Sequence, residues 1–114
     1  MTTLYGIKNC DTVRKARKWL DAQNIEFTFH DVRSDGLNKK DVCHWVKAVG
    51  WETLLNRRGT TWRKLPDADK EGVNEKRAID LMLAQPTLIK RPVLVLPKST
   101  HVGFKPAEYE GLFK

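Results

Sequence analysis

The change from a strand pattern to a helix pattern over residues 4–20 decides the fold of this chain. The stretch reads Leu4-Tyr5-Gly6-Ile7-Lys8-Asn9-Cys10-Asp11-Thr12-Val13-Arg14-Lys15-Ala16-Arg17-Lys18-Trp19-Leu20. The apolar opening run predicts a short strand over residues 3–7. Apolar residues then recur at helical spacing, which predicts an amphipathic helix over residues 12–23. The chain therefore turns from strand to helix at Cys10.

Cys10 is the first candidate for chemistry because of this position. A sulfur at the first turn of a helix lies beside unpaired backbone N–H groups and the positive end of the helix dipole. Those conditions favour a nucleophilic thiolate, and Lys8 adds positive charge on the same turn. A lone cysteine is also commonly a small buried hydrophobe. Position alone leaves reactivity and burial equally open.

The rest of the chain supplies a second strand, several helices and a final hairpin. Residues 25–30 alternate apolar and polar side chains, which predicts a strand parallel to the first and reached by a right-handed crossover. Between residues 36 and 85 the patterns are helical, and Asn38 and Asn74 are the predicted helix caps.

Strand patterns return after residue 85. Residues 93–96 form a continuous apolar run, and residues 101–104 are its predicted hairpin partner across a loop at 98–100. Pro106 suits the first position of a terminal helix. The order β-α-β, helices, β-β-α predicts an α/β thioredoxin-like fold, as a single domain over residues 1–114 with a helical insert at about 36–85.

Composition narrows the classes of function. The chain has 21 Lys and Arg against 14 Asp and Glu, for a net charge of +7, which favours anionic partners. The basic residues form short groups without interleaved aromatics, so nucleic acid is disfavoured. Two cysteines and no apolar stretch of signal-peptide or membrane-span length predict a cytoplasmic protein with free thiols and no membrane contact.

Arg91-Pro92 is the second feature that can carry chemistry. A proline directly before a buried strand is either a simple strand start or a cis peptide bond, and the residues alone leave both open. Arg57, Arg58 and Lys105 are weaker candidates, because a loop cation is usually only solvated.

The other side chains that could take part in chemistry, Cys43 and His44, are not expected to belong to the Cys10 site. His44 lies nearly opposite the apolar stripe of its predicted helix, and Cys43 lies at the edge of that stripe, which favours packing. The sequence contains no cluster of His and Cys at metal-ligand spacing and no glycine-rich phosphate loop. We expect no metal and no tightly bound cofactor.

Three segments carry a resemblance to a known family. They are Tyr5-Gly6-Ile7-Lys8-Asn9-Cys10, Asp80-Leu81-Met82-Leu83-Ala84-Gln85-Pro86-Thr87-Leu88-Ile89-Lys90-Arg91-Pro92-Val93 and Phe104-Lys105-Pro106-Ala107-Glu108. Together they resemble the arsenate reductase (ArsC)/Spx-like family, whose reductases work with glutathione and glutaredoxin. Two runs, Tyr5 to Thr12 and Arg57 to Leu65, most resemble the short YffB group of that family.

The resemblance implies a role for each matching residue. Cys10 takes the place of the nucleophile, and Arg91 that of the arginine before a cis-proline, Pro92. The implied glutathione- or substrate-binding residues are Lys8, Asn9, Arg57, Arg58, Arg91, Pro92 and Lys105. Two further arginines of the arsenate reductases fall on Asn56 and Lys105, which favours glutathione over arsenate as the ligand.

Together these features predict a glutathione-dependent thiol reductase. Cys10 would form a mixed disulfide or another covalent intermediate with a small oxidised substrate or a protein disulfide, and an external thiol would resolve it. Glutathione is the expected co-substrate, and glutaredoxin is a further implied partner. The alternative is a non-catalytic Spx-like regulator that binds RNA polymerase. Spx-type regulators carry a second cysteine three residues after the first, where this chain has Val13.

Overall fold

The computed structural model describes residues 2–113 and divides the chain into two compact units. The first unit comprises residues 2–35 and 91–113, and the second is Gly36–Lys90. The predicted helical insert at 36–85 therefore falls inside the second unit, which extends five residues further along the chain.

Within residues 2–113, four strands form one mixed sheet in the order β2-β1-β3-β4. The strands are β1 (Thr3–Gly6), β2 (Thr28–Asp31), β3 (Val93–Leu96) and β4 (Ser99–Val102). β1 pairs with β2 in parallel and with β3 antiparallel, and β3 pairs antiparallel with β4. The predicted thioredoxin-like arrangement and the parallel first pair are confirmed.

Two helices of the first unit pack with this sheet around one apolar cluster. They are α1 (Asp11–Ala22) and α7 (Pro106–Leu112), which has Pro106 in its first turn, as predicted. The fully buried members of the cluster are Leu4, Ala16, Leu20, Leu94 and Tyr109. Tyr109 packs edge-on against Trp19 and Phe104, at centroid distances of 5.7 and 4.7 Å. Edge-on aromatic pairs of this kind stabilise the core beyond the burial of their surface and fix the relative orientation of the rings.

The second unit is helical. Its elements are α2 (Lys39–Val49), α3 (Trp51–Leu54), α4 (Thr60–Lys64), α5 (Asp67–Lys70), α6 (Glu75–Ala84) and a 3₁₀ turn (Pro86–Leu88). The two predicted caps are present: Asn38 accepts a hydrogen bond from the N–H of Asp41 at 2.8 Å, and Asn74 accepts one from Arg77 at 2.9 Å. The four-residue helix α5 was not predicted, since it carries no apolar stripe.

The largest differences from the predicted boundaries lie at the start of β2 and around β4, which spans Ser99–Val102 rather than 101–104. Residues 25–27 precede β2 rather than form its start, because Asn24 takes a left-handed conformation (φ 57°) and the N–H of Ile25 bonds to Leu20 at the end of α1. The β3–β4 loop is the two residues 97–98 and not 98–100, since Leu96 pairs with Ser99. In both cases backbone hydrogen bonding, rather than the alternation of side chains, sets the boundary.

Candidate active site

Cys10 caps α1 at its N-terminus. Its backbone is extended (φ −107°, ψ 123°), and its carbonyl accepts the N–H of Arg14 at 2.9 Å. The side chain is a free thiol, half-buried, and forms no capping hydrogen bond within the described chain. The sulfur therefore belongs to the turn where the unpaired N–H groups of a 12-residue helix are concentrated. This is the position that the sequence predicted for it.

The antiparallel pairing of β1 and β3 brings Arg91 and Pro92 to the same edge of the sheet as Cys10. Tyr5 lies opposite Val93 in the register. The chain that leaves β1 towards Cys10 and the chain that enters β3 from Arg91 therefore meet at one edge. The Arg91–Pro92 bond is cis, the isomer that the family resemblance implied.

Lys105 is brought to this edge by β4. The N–H of Gly103 bonds to the carbonyl of Pro92 at 2.8 Å, so the chain leaving β4 passes the start of β3. Lys105 follows as the exposed residue that precedes α7, and its carbonyl accepts the N–H of Tyr109 at 3.0 Å. The first unit thus groups Lys8, Asn9, Cys10, Arg91, Pro92 and Lys105 at one end of its sheet.

Close packing between Gly6 and Val13 sets the approach of α1 to the sheet. A Cβ built on Gly6 would lie 2.7 and 2.9 Å from the two γ-carbons of Val13, well inside ordinary carbon–carbon contact. Val13 is fully buried. Glycine at position 6 is therefore the residue that lets the helix carrying Cys10 lie against the end of β1.

Asp31 belongs to the site, although it is absent from the residues predicted from sequence. It ends β2 and is only 4 % exposed. One carboxylate oxygen accepts the N–H of Lys8 at 3.1 Å, and the other accepts those of Arg33 and Ser34 at 2.8 and 3.0 Å. The carboxylate thus ties the turn before Cys10 to the segment that follows β2.

These contacts also set the charge state of Asp31. Burial by itself raises the pKa of the carboxyl. The hydrogen bonds from Ser34, Arg33 and Lys8, together with the charge of Lys8, lower the pKa by more than burial raises it, so the pKa of Asp31 lies below its usual value. Asp31 is an anion at neutral pH.

A sequence signal for Asp31 exists in the alternation of apolar and polar side chains over residues 25–31. Ile25, Phe27 and Phe29 all pack against the apolar cluster, and Asp31 continues the same period of two. An acidic residue in phase with a buried face needs internal hydrogen bonds. That mismatch marks the position as special.

Arg57 and Arg58 lie in the second unit, on the loop between α3 and α4. Both are exposed. The Arg57 guanidinium lies 3.9 Å from the Glu52 carboxylate and 5.8 Å from the Trp51 ring centroid. The backbone N–H of Arg58 donates to the side chain of Asn56 at 3.1 Å. Their assignment to the Cys10 site stays a prediction.

The remaining candidates behave as packing or surface residues. Cys43 is a half-buried free thiol on α2, and His44 is exposed. Among residues 2–113 the structure contains no group of three or more His, Cys, Asp or Glu side chains suited to a metal ion. No helix in the same range is both long and apolar enough to cross a membrane.

The fold and the cysteine at the helix start define a thioredoxin-like protein with a candidate thiol site. The sequence profile of the ArsC family matches residues 5–112, and the chain belongs to that family. A solved YffB protein is 50 % identical, with a TM-score of 0.95 over 97 % of each chain.

Two other relatives bear on function. An arsenate reductase (ArsC) related protein from Brucella melitensis is 52 % identical, with a TM-score of 0.78 over 99 % of this chain and 94 % of its own. The global transcriptional regulator Spx from Streptococcus pneumoniae is 26 % identical over 110 residues, which cover 95 % of this chain and 82 % of Spx.

Proposed function

We propose that this protein is a glutathione-dependent thiol reductase in which Cys10 is the nucleophile. The observation that carries the proposal is the position of Cys10, half-buried at the start of α1, on the sheet edge shared with Arg91 and Pro92. Membership of the ArsC family and similarity to an arsenate reductase related protein support thiol-based reduction.

The proposed reaction is thiol–disulfide exchange in two steps. The Cys10 thiolate attacks the glutathione sulfur of a mixed disulfide, R–S–S–G. The S–S bond breaks, the product leaves as R–S⁻ and takes a proton, and Cys10 keeps the glutathione as a new disulfide. A second glutathione thiolate then attacks that disulfide, which releases oxidised glutathione and regenerates the Cys10 thiolate. The two electrons delivered to the substrate come from glutathione.

The external thiol is needed because no cysteine stands near Cys10 in the chain. The position three residues later is Val13, which is buried against Gly6. Cys43, the other cysteine of the sequence, stands thirty-three residues further along the chain. The proposed substrate is a small oxidised molecule or a protein disulfide, and glutaredoxin is a further proposed partner. The proposed compartment is the cytoplasm, which supplies reduced glutathione.

The cations of the site suit the carboxylates of glutathione. Arg91 is proposed to hold one carboxylate in two-point contact and to stabilise the thiolate, with Pro92 bordering the substrate. Lys8, Asn9 and Lys105 are the proposed binding residues on the same sheet edge. Arg57 and Arg58 are also proposed as glutathione-binding residues.

Glutathione is favoured over arsenate by the residues present. Two arginine positions of the arsenate reductases correspond to Asn56 and Lys105 here, and lysine offers a point charge where arginine offers a planar fork. A small tetrahedral oxyanion needs several guanidinium groups close around it. A longer ligand with separated carboxylates tolerates their replacement.

The test is turnover of bis(2-hydroxyethyl) disulfide with glutathione by the purified protein, together with mass spectrometry of the chain after exposure to oxidised glutathione. We expect one glutathione on Cys10, loss of adduct and turnover in Cys10→Ser, and retention of both in the matched control Cys43→Ser. Arg91→Ala should slow adduct formation. Efficient arsenate reduction with no glutathione on Cys10 would overturn the assignment.

The second candidate is an Spx-like regulator that binds RNA polymerase without catalysis. The observation in its favour is the 26 % identity to Spx over nearly the whole chain. Val13 in place of a second cysteine argues against a disulfide-switched form of that role. If the protein reduces no disulfide with any thiol co-substrate tested, and if it is retained on immobilised RNA polymerase, this candidate would be favoured over the reductase.

A further inference from the structure

A cleft of about 420 Å³ lies beside the turn that leads to Cys10. Its lining comes from two segments of the first unit: Ile7, Lys8 and Asn9 after β1, and Asp31, Arg33 and Ser34 at and after the end of β2. Only Lys8 and Asn9 of this lining were predicted as binding residues. The backbone N–H of Arg33 donates to Asp31, but its guanidinium has no role in the site described so far.

The Asp31 carboxylate joins the two walls of the cleft. It accepts the N–H of Lys8 from one wall and those of Arg33 and Ser34 from the other. These three donors occupy most of its acceptor capacity, and the residue is only 4 % exposed. Its charge is therefore held inside the protein by the backbone.

The charges that an entering ligand meets are those of Lys8 and Arg33, which are both exposed. One lies on each wall, so the pair can contact an anionic group from two sides. Arginine is well suited to this, because its planar fork matches the two oxygens of a carboxylate. The cleft thus favours a carboxylate ligand over a cation or a neutral apolar group.

The distance along the chain relates this ligand to the thiol. Lys8 and Cys10 are two residues apart, a span of at most about 7 Å between α-carbons. An extended tripeptide is roughly 10 Å long. A tripeptide thiol with one carboxylate held at Lys8 is therefore long enough for its sulfur to span the separation between Lys8 and Cys10.

We propose that this cleft binds a carboxylate of the thiol co-substrate and that Arg33 determines specificity for thiols carrying one. The inference rests on the proposed function and deepens it, since it assigns a subsite to glutathione. Lys8 and Arg33 hold the carboxylate, and Asp31 positions the walls that carry them.

Binding of S-methylglutathione tests the inference without any turnover, because this thioether keeps both carboxylates and cannot form a disulfide. Its affinity is measured by NMR titration of backbone amides for the native chain, Arg33→Gln and Lys98→Gln. Lys98 is the matched control: it is an exposed cation in the β3–β4 turn, at the opposite edge of the sheet. The same titrations are repeated with the diethyl ester of S-methylglutathione, which lacks both carboxylate charges and keeps the ammonium group.

We expect the amide shifts to centre on Lys8, Asn9 and Ser34. Arg33→Gln should weaken S-methylglutathione binding about two- to fivefold, the range for one exposed ion pair, and Lys98→Gln should not weaken it. The effect of Arg33→Gln should vanish with the ester. Equal affinities for the two variants, or shifts that leave out the cleft, would overturn the subsite even if the enzyme turns over glutathione. Binding as expected without turnover would overturn the reductase and leave the subsite standing.

Discussion

Replacing Gly6 by alanine tests how the helix carrying Cys10 is set against the sheet. The new Cβ would lie 2.7 and 2.9 Å from the γ-carbons of Val13, whereas carbon atoms pack at about 3.5–4.0 Å. Val13 cannot rotate away easily, because a β-branched residue in a helix has one strongly preferred rotamer. The first turn of α1 or the end of β1 must therefore move.

The magnitude follows from two opposed effects. Overpacking of a buried contact costs about 1–3 kcal/mol. Alanine in a strand is otherwise about 0.5–1 kcal/mol better than glycine, and the Gly6 backbone does not lie in the left-handed region. We expect Gly6→Ala to lower the free energy of unfolding by roughly 1 kcal/mol, since the difference between these two effects spans about 0–2.5 kcal/mol.

The assay is urea denaturation of a double-mutant cycle with Val13→Ala, which removes the two γ-carbons that the new Cβ would meet. In the Val13→Ala background, Gly6→Ala should be neutral or stabilising, so that its effect changes sign. Gly111→Ala is the matched control, since a Cβ there meets nothing within 4 Å. Equal effects of Gly6→Ala in both backgrounds would refute the reasoning.

Three further outcomes are expected in urea denaturation. The lowered pKa of Asp31 means that its carboxylate stabilises the fold above the unfolded pKa of about 3.9 and loses this contribution as pH falls through the lower folded value. Asp31→Asn should therefore lower the free energy of unfolding by about 1–3 kcal/mol at pH 7. A loss of stability that stays unchanged down to pH 2.5 would contradict the assignment. Tyr109→Phe should cost about 1 kcal/mol, because the buried hydroxyl donates to the carbonyl of Gly103 at 3.3 Å; an equally stable variant would show that this bond contributes nothing. Asn38→Ala should cost about 0.5–2 kcal/mol by removing the acceptor for the Asp41 N–H, and Asn38→Asp, which keeps an acceptor, should restore most of it.

Local patterns in the sequence were enough for most elements and for the position of Cys10 at the start of α1. Several helix signals depend only on residues close by in sequence. They are the apolar stripe after Cys10, the caps Asn38 and Asn74, and Pro106 at the start of α7. Their structural consequences need no distant partner. The order of these elements, in turn, restricts the topology to the thioredoxin-like arrangement that the structure has.

Boundaries that depend on strand pairing were less predictable. The start of β2 is set by the extent of β1 beside it and by the bond from Ile25 to the end of α1, and the β3–β4 loop is set by which residues pair across it. Alternation of side chains shows which residues face the core, but it does not show where a neighbouring strand begins or ends.

The sequence by itself determined that Cys10 stands where a strand becomes a helix, because hydrophobic period and chain order are properties of the sequence. Only the tertiary structure decided that Asp31 and Lys8, twenty-three residues apart, share a hydrogen bond, and that Arg33 lines a cleft beside them. The physical reason is that a buried carboxylate is stabilised by the N–H groups that the packed chain brings to it. Arg33 and Ser34 are its neighbours in sequence, but the N–H of Lys8 follows β1, which meets β2 only in the folded sheet.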